Sequence, residues 1–93
     1  MMKLTKDGIR LVMICKLCPE QYIAYDENGL RVAYAQLRHG YFCVKGIGAW
    51  GTVLYEAYPN GDGMFEDDER DHFLDEAIRA IRSYCLRRRT GWS

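Results

Sequence analysis

One stretch of the chain, between residues 73 and 85, repeats apolar residues at intervals of three and four. This spacing places them on one face of an α-helix, with polar residues on the opposite face. The apolar positions are Phe73, Leu74, Ala77, Ile78, Ile81, Tyr84 and Cys85. A single amphipathic helix constrains the fold strongly, because it can cover only one face of any sheet that the remaining residues form.

The residues before this helix form short segments rich in β-branched and aromatic side chains, separated by turn residues. The segments are residues 9–16, 20–25, 30–37, 41–45 and 52–58. We therefore expect a single α+β domain over residues 1–93. It would contain an antiparallel meander of four to five strands with one long C-terminal helix packed on one sheet face. The other face is a candidate interaction surface or homodimer interface.

The clearest turn signal is residues 26–29, which read Asp-Glu-Asn-Gly. Asp at the first position and Gly at the left-handed position favour a type I turn followed by a bulge. In that register Tyr22 lies opposite Tyr34, and the two side chains share a sheet face. A two-residue Asn-Gly turn is the alternative, and it would shift the pairing by one residue and exchange the faces.

Length and hydropathy indicate one folded domain rather than a membrane protein. The chain has 93 residues, of which 48% are hydrophobic, and no apolar run approaches the roughly 20 residues needed to span a bilayer. The most apolar stretch, residues 9–18, is interrupted by Arg10 and Lys16, and no small-residue cleavage site follows it. We expect a cytoplasmic protein with no membrane association, whose cysteines are reduced thiols.

The formal net charge is zero, but the charges are segregated along the chain. Residues 1–58 carry seven basic and five acidic groups, a balance of +2. Residues 59–76 carry one basic and eight acidic groups, a balance of −7, and residues 77–93 carry five arginines and no acid. Local patches are therefore more informative about partners than the net charge.

Acidic side chains concentrate where the helix is predicted to begin. We call this group the acidic segment: Glu66, Asp67, Asp68, Glu69 and Asp71. Asp67 or Asp68 could cap the helix, but five carboxylates exceed what capping requires, and they repel one another. A basic partner surface would relieve this repulsion. We therefore expect the acidic segment to dock onto a basic protein, one candidate being a protein that itself binds nucleic acid.

Aromatic residues supply further candidate contacts for such a partner. Residues 46–51 match the G-x-G-x-x-G pattern, but a strand follows them, whereas a dinucleotide-binding loop needs a helix there. Trp50 in this loop is instead a candidate binding anchor, because rigid aromatic side chains often dominate interfaces. Tyr22 and Tyr34 of the predicted hairpin are the other aromatic candidates.

A basic group near the C-terminus supports an alternative, a nucleic-acid-binding module. Its members are Arg79, Arg82, Arg87, Arg88 and Arg89. Arginine contacts phosphates, and the hairpin tyrosines Tyr22, Tyr25 and Tyr34 would suit a sheet that stacks RNA bases. Basic residues also favour a helix C-terminus for its dipole alone, and the pI near 6.7 is low for a nucleic-acid binder.

A second alternative is a small zinc-binding domain. Cys15 and Cys18 form a C-x-x-C pair, and His39 and Cys43 could complete four ligands of the types that zinc prefers. The apolar surroundings of Cys15 and Cys43 favour structural thiols instead.

Catalytic signals are weak. Serine occurs only at positions 83 and 93, which leaves a serine triad few candidates for its nucleophile. We expect a non-enzymatic accessory or inhibitory protein without a cofactor, acting through its acidic segment and its aromatic sheet and loop surface.

Overall fold

The structure is a computed structural model that describes residues 3–16, 19–47 and 52–89. Within these residues the chain forms six strands and one helix. They are β1 (Lys3–Lys6), β2 (Ile9–Cys15), β3 (Glu20–Tyr25), β4 (Arg31–Arg38), β5 (Tyr41–Gly46), β6 (Val53–Ala57) and α1 (Arg70–Arg89). The strands pair in chain order, each antiparallel to the next, in a single sheet. The predicted α+β meander is confirmed, but it has six strands rather than four or five.

The strand missing from the prediction is β1, a polar edge strand that pairs with β2. Asp7 and Gly8 connect the two strands, with φ angles of 56° and 80°, and Lys6 pairs with Ile9 across this two-residue turn. Two consecutive positive φ angles are typical of the tight hairpin turns that Asp-Gly favours. The Asp-Gly dipeptide was therefore the signal that could have located β1.

The turn between β3 and β4 has the geometry predicted for residues 26–29. Gly29 has a φ of +83° and donates its backbone N–H to the carbonyl oxygen of Asp26 at 3.0 Å. The Asp26 carboxylate also accepts the backbone N–H groups of Asn28 and Leu30, at 2.9 and 3.0 Å. This side chain organises the loop as an Asx turn does.

The favoured register of the β3–β4 hairpin is wrong, although its turn is right, and from Glu20 to Ala24 the strands pair as in the alternative that is shifted by one residue. A bulge between Ala24 and Tyr25 shifts the pairing by one residue along the rest of the hairpin. Tyr22 consequently lies opposite Ala35, and Tyr34 lies opposite Ile23. Because alternate residues of a strand point to opposite faces, Tyr22 and Tyr34 lie on different faces of the sheet.

Helix α1 covers one face of the sheet through the apolar residues that the sequence predicted. Leu74, Ala77, Ile78 and Ile81 are fully buried, and the helix packs on β2, β4, β5 and β6. The strands contribute the other half of this core. These residues are Ile9, Leu11, Met13, Tyr22, Ala24, Ala33, Ala35, Leu37, Phe42 and Val44. The helix therefore fixes which sheet face is core and which face remains uncovered.

The start of α1 is fastened to the sheet by a buried carboxylate, Glu20, at the beginning of β3. Glu20 is fully buried, and its oxygens accept hydrogen bonds from the guanidinium of Arg70 at 2.8 and 3.2 Å. It also accepts the Tyr22 hydroxyl and, at 3.0 Å, the backbone N–H of Phe65. A buried carboxylate is tolerated only when it is paired and hydrogen-bonded in this way.

Candidate functional site

The uncovered side of the sheet, which we call the open face, carries the alternate side chains of each strand. Its residues follow from the burial pattern and the strand register. They are Thr5 on β1, Arg10, Val12 and Ile14 on β2, Gln21, Ile23 and Tyr25 on β3, Val32, Tyr34, Gln36 and Arg38 on β4, Tyr41, Cys43 and Lys45 on β5, and Val53 and Glu56 on β6. This face mixes apolar, aromatic and polar side chains, whereas the face under α1 is almost entirely apolar.

A continuous row of side chains crosses the middle of the open face. Val12 lies opposite Ile23, Ile23 opposite Tyr34, and Tyr34 opposite Lys45. Neighbouring strands lie about 4.8 Å apart, so these side chains are in reach of one another. The row presents an apolar strip that ends in an aromatic ring and a cation.

A groove of about 530 Å³ runs along β4 and β5 on this face. It is lined by Tyr34, Gln36, Arg38, His39, Tyr41, Cys43, Lys45 and Val53. Two of the cross-strand pairs in it place a cation opposite a tyrosine, Lys45 opposite Tyr34 and Arg38 opposite Tyr41. Gln36 lies opposite Cys43 between them. The groove therefore has a cation–aromatic pair at each end and an amide at its centre.

The hydroxyl of Tyr34 is held by side chains on both sides. It lies 2.8 Å from Oε1 of Gln36 and 3.2 Å from Oε1 of Gln21. These contacts fix the position of the ring on a partly buried part of the sheet. A ring that is already fixed loses little conformational entropy when a ligand packs against it.

Tyr41 is fixed at the other end of the groove. Its hydroxyl donates to Glu56 at 2.9 Å, and its ring lies 5.4 Å from that of Tyr58, centroid to centroid. The pKa of Tyr41 is raised well above its usual range, most by its hydrogen bond with Cys43 and next by its hydrogen bond with Glu56. Tyr41 is therefore neutral at physiological pH and donates a hydrogen bond to one oxygen of the Glu56 carboxylate.

The charge on the open face is predominantly positive. Among the residues that the structure describes, Arg10, Arg38 and Lys45 are its cations and Glu56 is its acid. The guanidinium of Arg10 lies 4.9 Å from the centre of the Tyr25 ring, in the cation–π arrangement. Arg38 and Lys45 are exposed and stand at opposite ends of the groove. An anionic ligand would meet a cation at each end of the groove, although Asp62 lines a pocket together with Arg38, and Asp26 and Glu27 line one together with Arg10.

The acidic segment lies at the start of α1, and part of it is used within the fold. The Glu69 carboxylate accepts three backbone N–H groups at 2.8 Å, from Asn60, Gly61 and Glu66. The contact to the backbone N–H of Glu66 resembles a capping box. The side chain that caps the start of α1 is therefore Glu69 rather than Asp67 or Asp68. Burial alone would raise the pKa of Glu69, but these donors and the neighbouring Arg70 lower it.

The other members of the acidic segment differ in their contacts. Asp67 pairs with Arg70 at 3.0 Å. Glu66, Asp68 and Asp71 are exposed on the surface. Two of the five carboxylates, Glu69 and Asp67, thus have contacts within the fold, and Glu66, Asp68 and Asp71 remain as exposed candidates for a partner.

The C-terminal arginines lie on α1, on the opposite side of the sheet from the open face. Arg79 pairs with Glu76 at 3.1 Å, and Arg82 donates to the backbone carbonyl of Asp7. Arg87 is exposed, and the side chains of Arg88 and Arg89 lie outside the described residues. The arginine patch and the aromatic hairpin are therefore two separate surfaces.

Cys15 and Cys43, two of the ligands proposed for zinc, are not brought together. Cys15 pairs with Gln21, Gln21 with Gln36, and Gln36 with Cys43. Three strand spacings separate the two cysteines, roughly 14 Å, whereas two ligands of one zinc ion are at most about 4.6 Å apart. A site containing both is excluded by this distance, and Cys18 lies outside the described residues.

Two further predictions concern single aromatic residues. Tyr22 is fully buried beneath α1, so its predicted role as a surface contact does not hold. Burial, with smaller contributions from Glu20, raises the pKa of Tyr22 far above its usual range. Trp50 lies outside the described residues. Tyr34 is on the open face, as an accessible contact requires.

Sequence reasoning overlooked most of the groove. Tyr41 and Lys45 were assigned to a predicted strand without a functional role, and Arg38 was assigned to no element. The signal that could have found them is the alternation of residues 34, 36 and 38 on β4 with residues 41, 43 and 45 on β5, around a two-residue His-Gly turn. Both turn residues have positive φ, at 54° and 72°, which fixes the register of that hairpin.

The described part of the chain contains no helix that is long and apolar enough to cross a membrane. In the comparisons with known proteins, no family model, no curated protein and no solved structure matches this chain.

Proposed function

We propose that the chain is a non-enzymatic binding module whose open face binds single-stranded nucleic acid. The observation that carries this proposal is the pairing of tyrosines with cations along the groove, Tyr34 with Lys45 and Tyr41 with Arg38. Aromatic side chains stack bases, and cations beside them track the phosphates of the same strand. A binding role of this kind requires no catalytic group.

The shape of the surface favours a single strand over a duplex. The tyrosines stand on a sheet, and stacking on them needs bases whose faces are exposed. Bases in a duplex have their faces covered by neighbouring bases, and such a surface would reach only the phosphates. The apolar row from Val12 to Tyr34 extends the region over which unstacked bases can pack.

The neutral net charge is compatible with this role because the charges are separated in space. Glu66, Asp68 and Asp71 are at the start of α1, while Arg10, Arg38 and Lys45 are on the open face. Attraction of a phosphate backbone depends on the local potential within about a Debye length, about 8 Å at physiological salt. The placement of three cations on one face supports the proposal, whereas the low pI and the acidic residues that share pockets with Arg10 and Arg38 oppose it.

The same charges disfavour the open face as a homodimer interface. A symmetric dimer through this face would bury Arg10, Arg38 and Lys45 of both copies in one interface, with Glu56 already hydrogen-bonded to Tyr41. Buried like charges are costly unless they are paired. A chain that sediments as a dimer, and loses this dimer when Tyr34 is changed to Asp, would favour that role instead.

A second candidate function is docking of the acidic segment onto a basic protein. Exposure of Glu66, Asp68 and Asp71 supports it. The geometry supports this role less well than the first, because Glu69 and Asp67 already have contacts within the chain.

The proposal is tested by fluorescence anisotropy with short single-stranded RNA and DNA at several salt concentrations. We expect binding that weakens as salt rises, because phosphate contacts release counterions. Tyr34→Ala should weaken binding about fivefold or more, since stacking of one base contributes about 1–3 kcal/mol. Tyr34→Phe keeps the ring and should weaken it less. Absence of binding at low salt would overturn the proposal.

A further inference from the structure

We infer that the groove between β4 and β5 discriminates among bases, preferring those with a carbonyl at the edge, uracil, thymine and guanine, over cytosine and adenine. This inference rests on the proposed function, because a base reaches the groove only if the open face binds a single strand. It adds a specificity that stacking alone does not provide, since every base has a face on which a tyrosine can pack.

The amide of Gln36 is oriented by its neighbour. The Tyr34 hydroxyl carries one proton, and the shorter of its two acceptor contacts is to Oε1 of Gln36 at 2.8 Å, against 3.2 Å to Oε1 of Gln21. This contact turns the carbonyl side of the amide toward Tyr34, so the NH₂ group is the part of Gln36 left for a ligand. At the centre of the groove, the chain thus presents a hydrogen-bond donor.

The two ends of the groove also present hydrogen-bond donors. Lys45 and Arg38 carry only donors, and both are exposed. The carboxylate on this face, Glu56, accepts a hydrogen bond from the Tyr41 hydroxyl, which uses part of its acceptor capacity. Tyr41 stays protonated, because its hydrogen bonds with Cys43 and Glu56 raise its pKa. A ligand in the groove therefore meets an excess of donors.

Bases differ in the hydrogen-bond acceptors that their edges offer to such donors. Guanine offers O6 and N7, and thymine and uracil offer O4, which are acceptors, whereas cytosine and adenine carry an amino group at the equivalent position. An amino group facing the Gln36 NH₂ would leave both donors without a partner. One hydrogen bond made or lost corresponds to about a fivefold difference in affinity.

Short homopolymers of uridine and of cytidine, of equal length and charge, test this inference by fluorescence anisotropy. The bases differ at C4, which carries a carbonyl in uracil and an amino group in cytosine, and at N3, which carries a proton in uracil and is an acceptor in cytosine. We expect the uridine strand to bind about fivefold more tightly. Gln36→Met keeps the length of the side chain but removes the donor, and should abolish the preference. The uridine and cytidine oligonucleotides differ in stiffness, but this difference is the same whether they bind the unchanged chain or Gln36→Met. Comparing the two proteins therefore removes the contribution of oligonucleotide stiffness to the preference.

Gln36→Glu provides a second variant with a distinct expectation. It replaces the donor by an acceptor, so the preference should reverse toward cytidine, while added negative charge weakens both strands. Equal binding of the two homopolymers by the unchanged chain, with both weakened by Tyr34→Ala, would overturn the base preference and leave the proposed function standing. A preference that survives Gln36→Met would also overturn it. Absence of binding by either strand at low salt would overturn the proposed function itself.

Discussion

Arg70 lies against Glu20, 50 residues earlier in the chain, with its Nε 2.8 Å from a carboxylate oxygen that is fully buried. The pair joins the first turn of α1 to the first residue of β3, and the contact with Glu20 is the main cause that raises the pKa of Arg70. It positions the helix on one face of the sheet, which leaves the other face uncovered.

Arg70→Met should lower the free energy of unfolding by about 3 kcal/mol, because it leaves a buried carboxylate without its cation. Urea unfolding followed by circular dichroism measures this. The double variant Glu20→Gln, Arg70→Met should recover a large part of the loss, since a neutral amide can still accept the N–H of Phe65. A loss below about 1 kcal/mol for the single variant would contradict the role of the pair.

Glu69 should make the stability depend on pH in the acid range. Its pKa in the folded chain lies below the ordinary value of 4.5, so its stabilisation is complete above that pH. The stabilisation is lost as the pH falls below 4.5 through the lower, folded-state pKa. The difference in stability between the unchanged chain and Glu69→Gln should therefore be largest near neutral pH and shrink in acid.

Urea unfolding at a series of pH values checks this dependence, with Asp68→Asn as the control. Asp68 is exposed, and its substitution should leave the acid dependence unchanged. A stability difference between the unchanged chain and Glu69→Gln that stays constant down to acid pH would show that the Glu69 carboxylate is not what fastens the loop.

Gly46 lies where α1 crosses β5, and a larger residue there should strain the core. A Cβ at this position would lie 2.8 Å from Cζ of Tyr84, whose side chain is 7% exposed and has little room to move. We expect Gly46→Ala to cost about 1–3 kcal/mol of stability. Gly29→Ala, with nothing within 4 Å of its Cβ, should cost only the strain of its positive φ, about 1–2 kcal/mol.

Thermal and urea unfolding compare these two variants, and a spectroscopic change in the tyrosine environment should accompany Gly46→Ala alone. If Gly46→Ala is neutral, α1 does not approach β5 as closely at this position as the structure places it.

The predictable parts of this fold are those encoded locally. The apolar spacing from Phe73 to Cys85 and the turn at residues 26–29 each lie within a few consecutive residues, and both were predicted correctly. The bulge at Ala24 and Tyr25 was not predictable from local sequence. It reconciles the pairing set by the turn at residues 26–29 with the pairing that places the core residues of β3 and β4 under α1. That single bulge placed Tyr22 in the core and Tyr34 on the open face.

The candidate site was predicted less well, because its residues come together only through the register. Tyr34 was identified, but its neighbour Lys45 is eleven positions away and becomes its cross-strand partner only once β4 and β5 are aligned. The acidic segment was identified as a group, yet its division into Glu69, which holds the loop, and Asp68, which is exposed, depends on contacts with residues 60 and 61.

Neutralising Asp68 and Asp71 should separate the two candidate functions. The double variant Asp68→Asn, Asp71→Asn should fold normally and bind a single strand as well as the unchanged chain, or up to about twofold more tightly because a repulsive charge is removed. Docking on a basic protein would instead be lost. Weaker binding to oligonucleotides would contradict the placement of the nucleic-acid site on the open face.

The most direct measurement of the central claim compares two charge reversals in oligonucleotide affinity. Arg38→Glu with Lys45→Glu changes the open face, and Arg79→Glu with Arg87→Glu changes the exposed side of α1 by the same total charge. Circular dichroism should first establish that both variants are folded. We predict a loss of about tenfold or more for the open-face variant and a much smaller loss for the helix variant. Equal losses, or a larger loss for the helix variant, would contradict the claim that the open face is the binding surface.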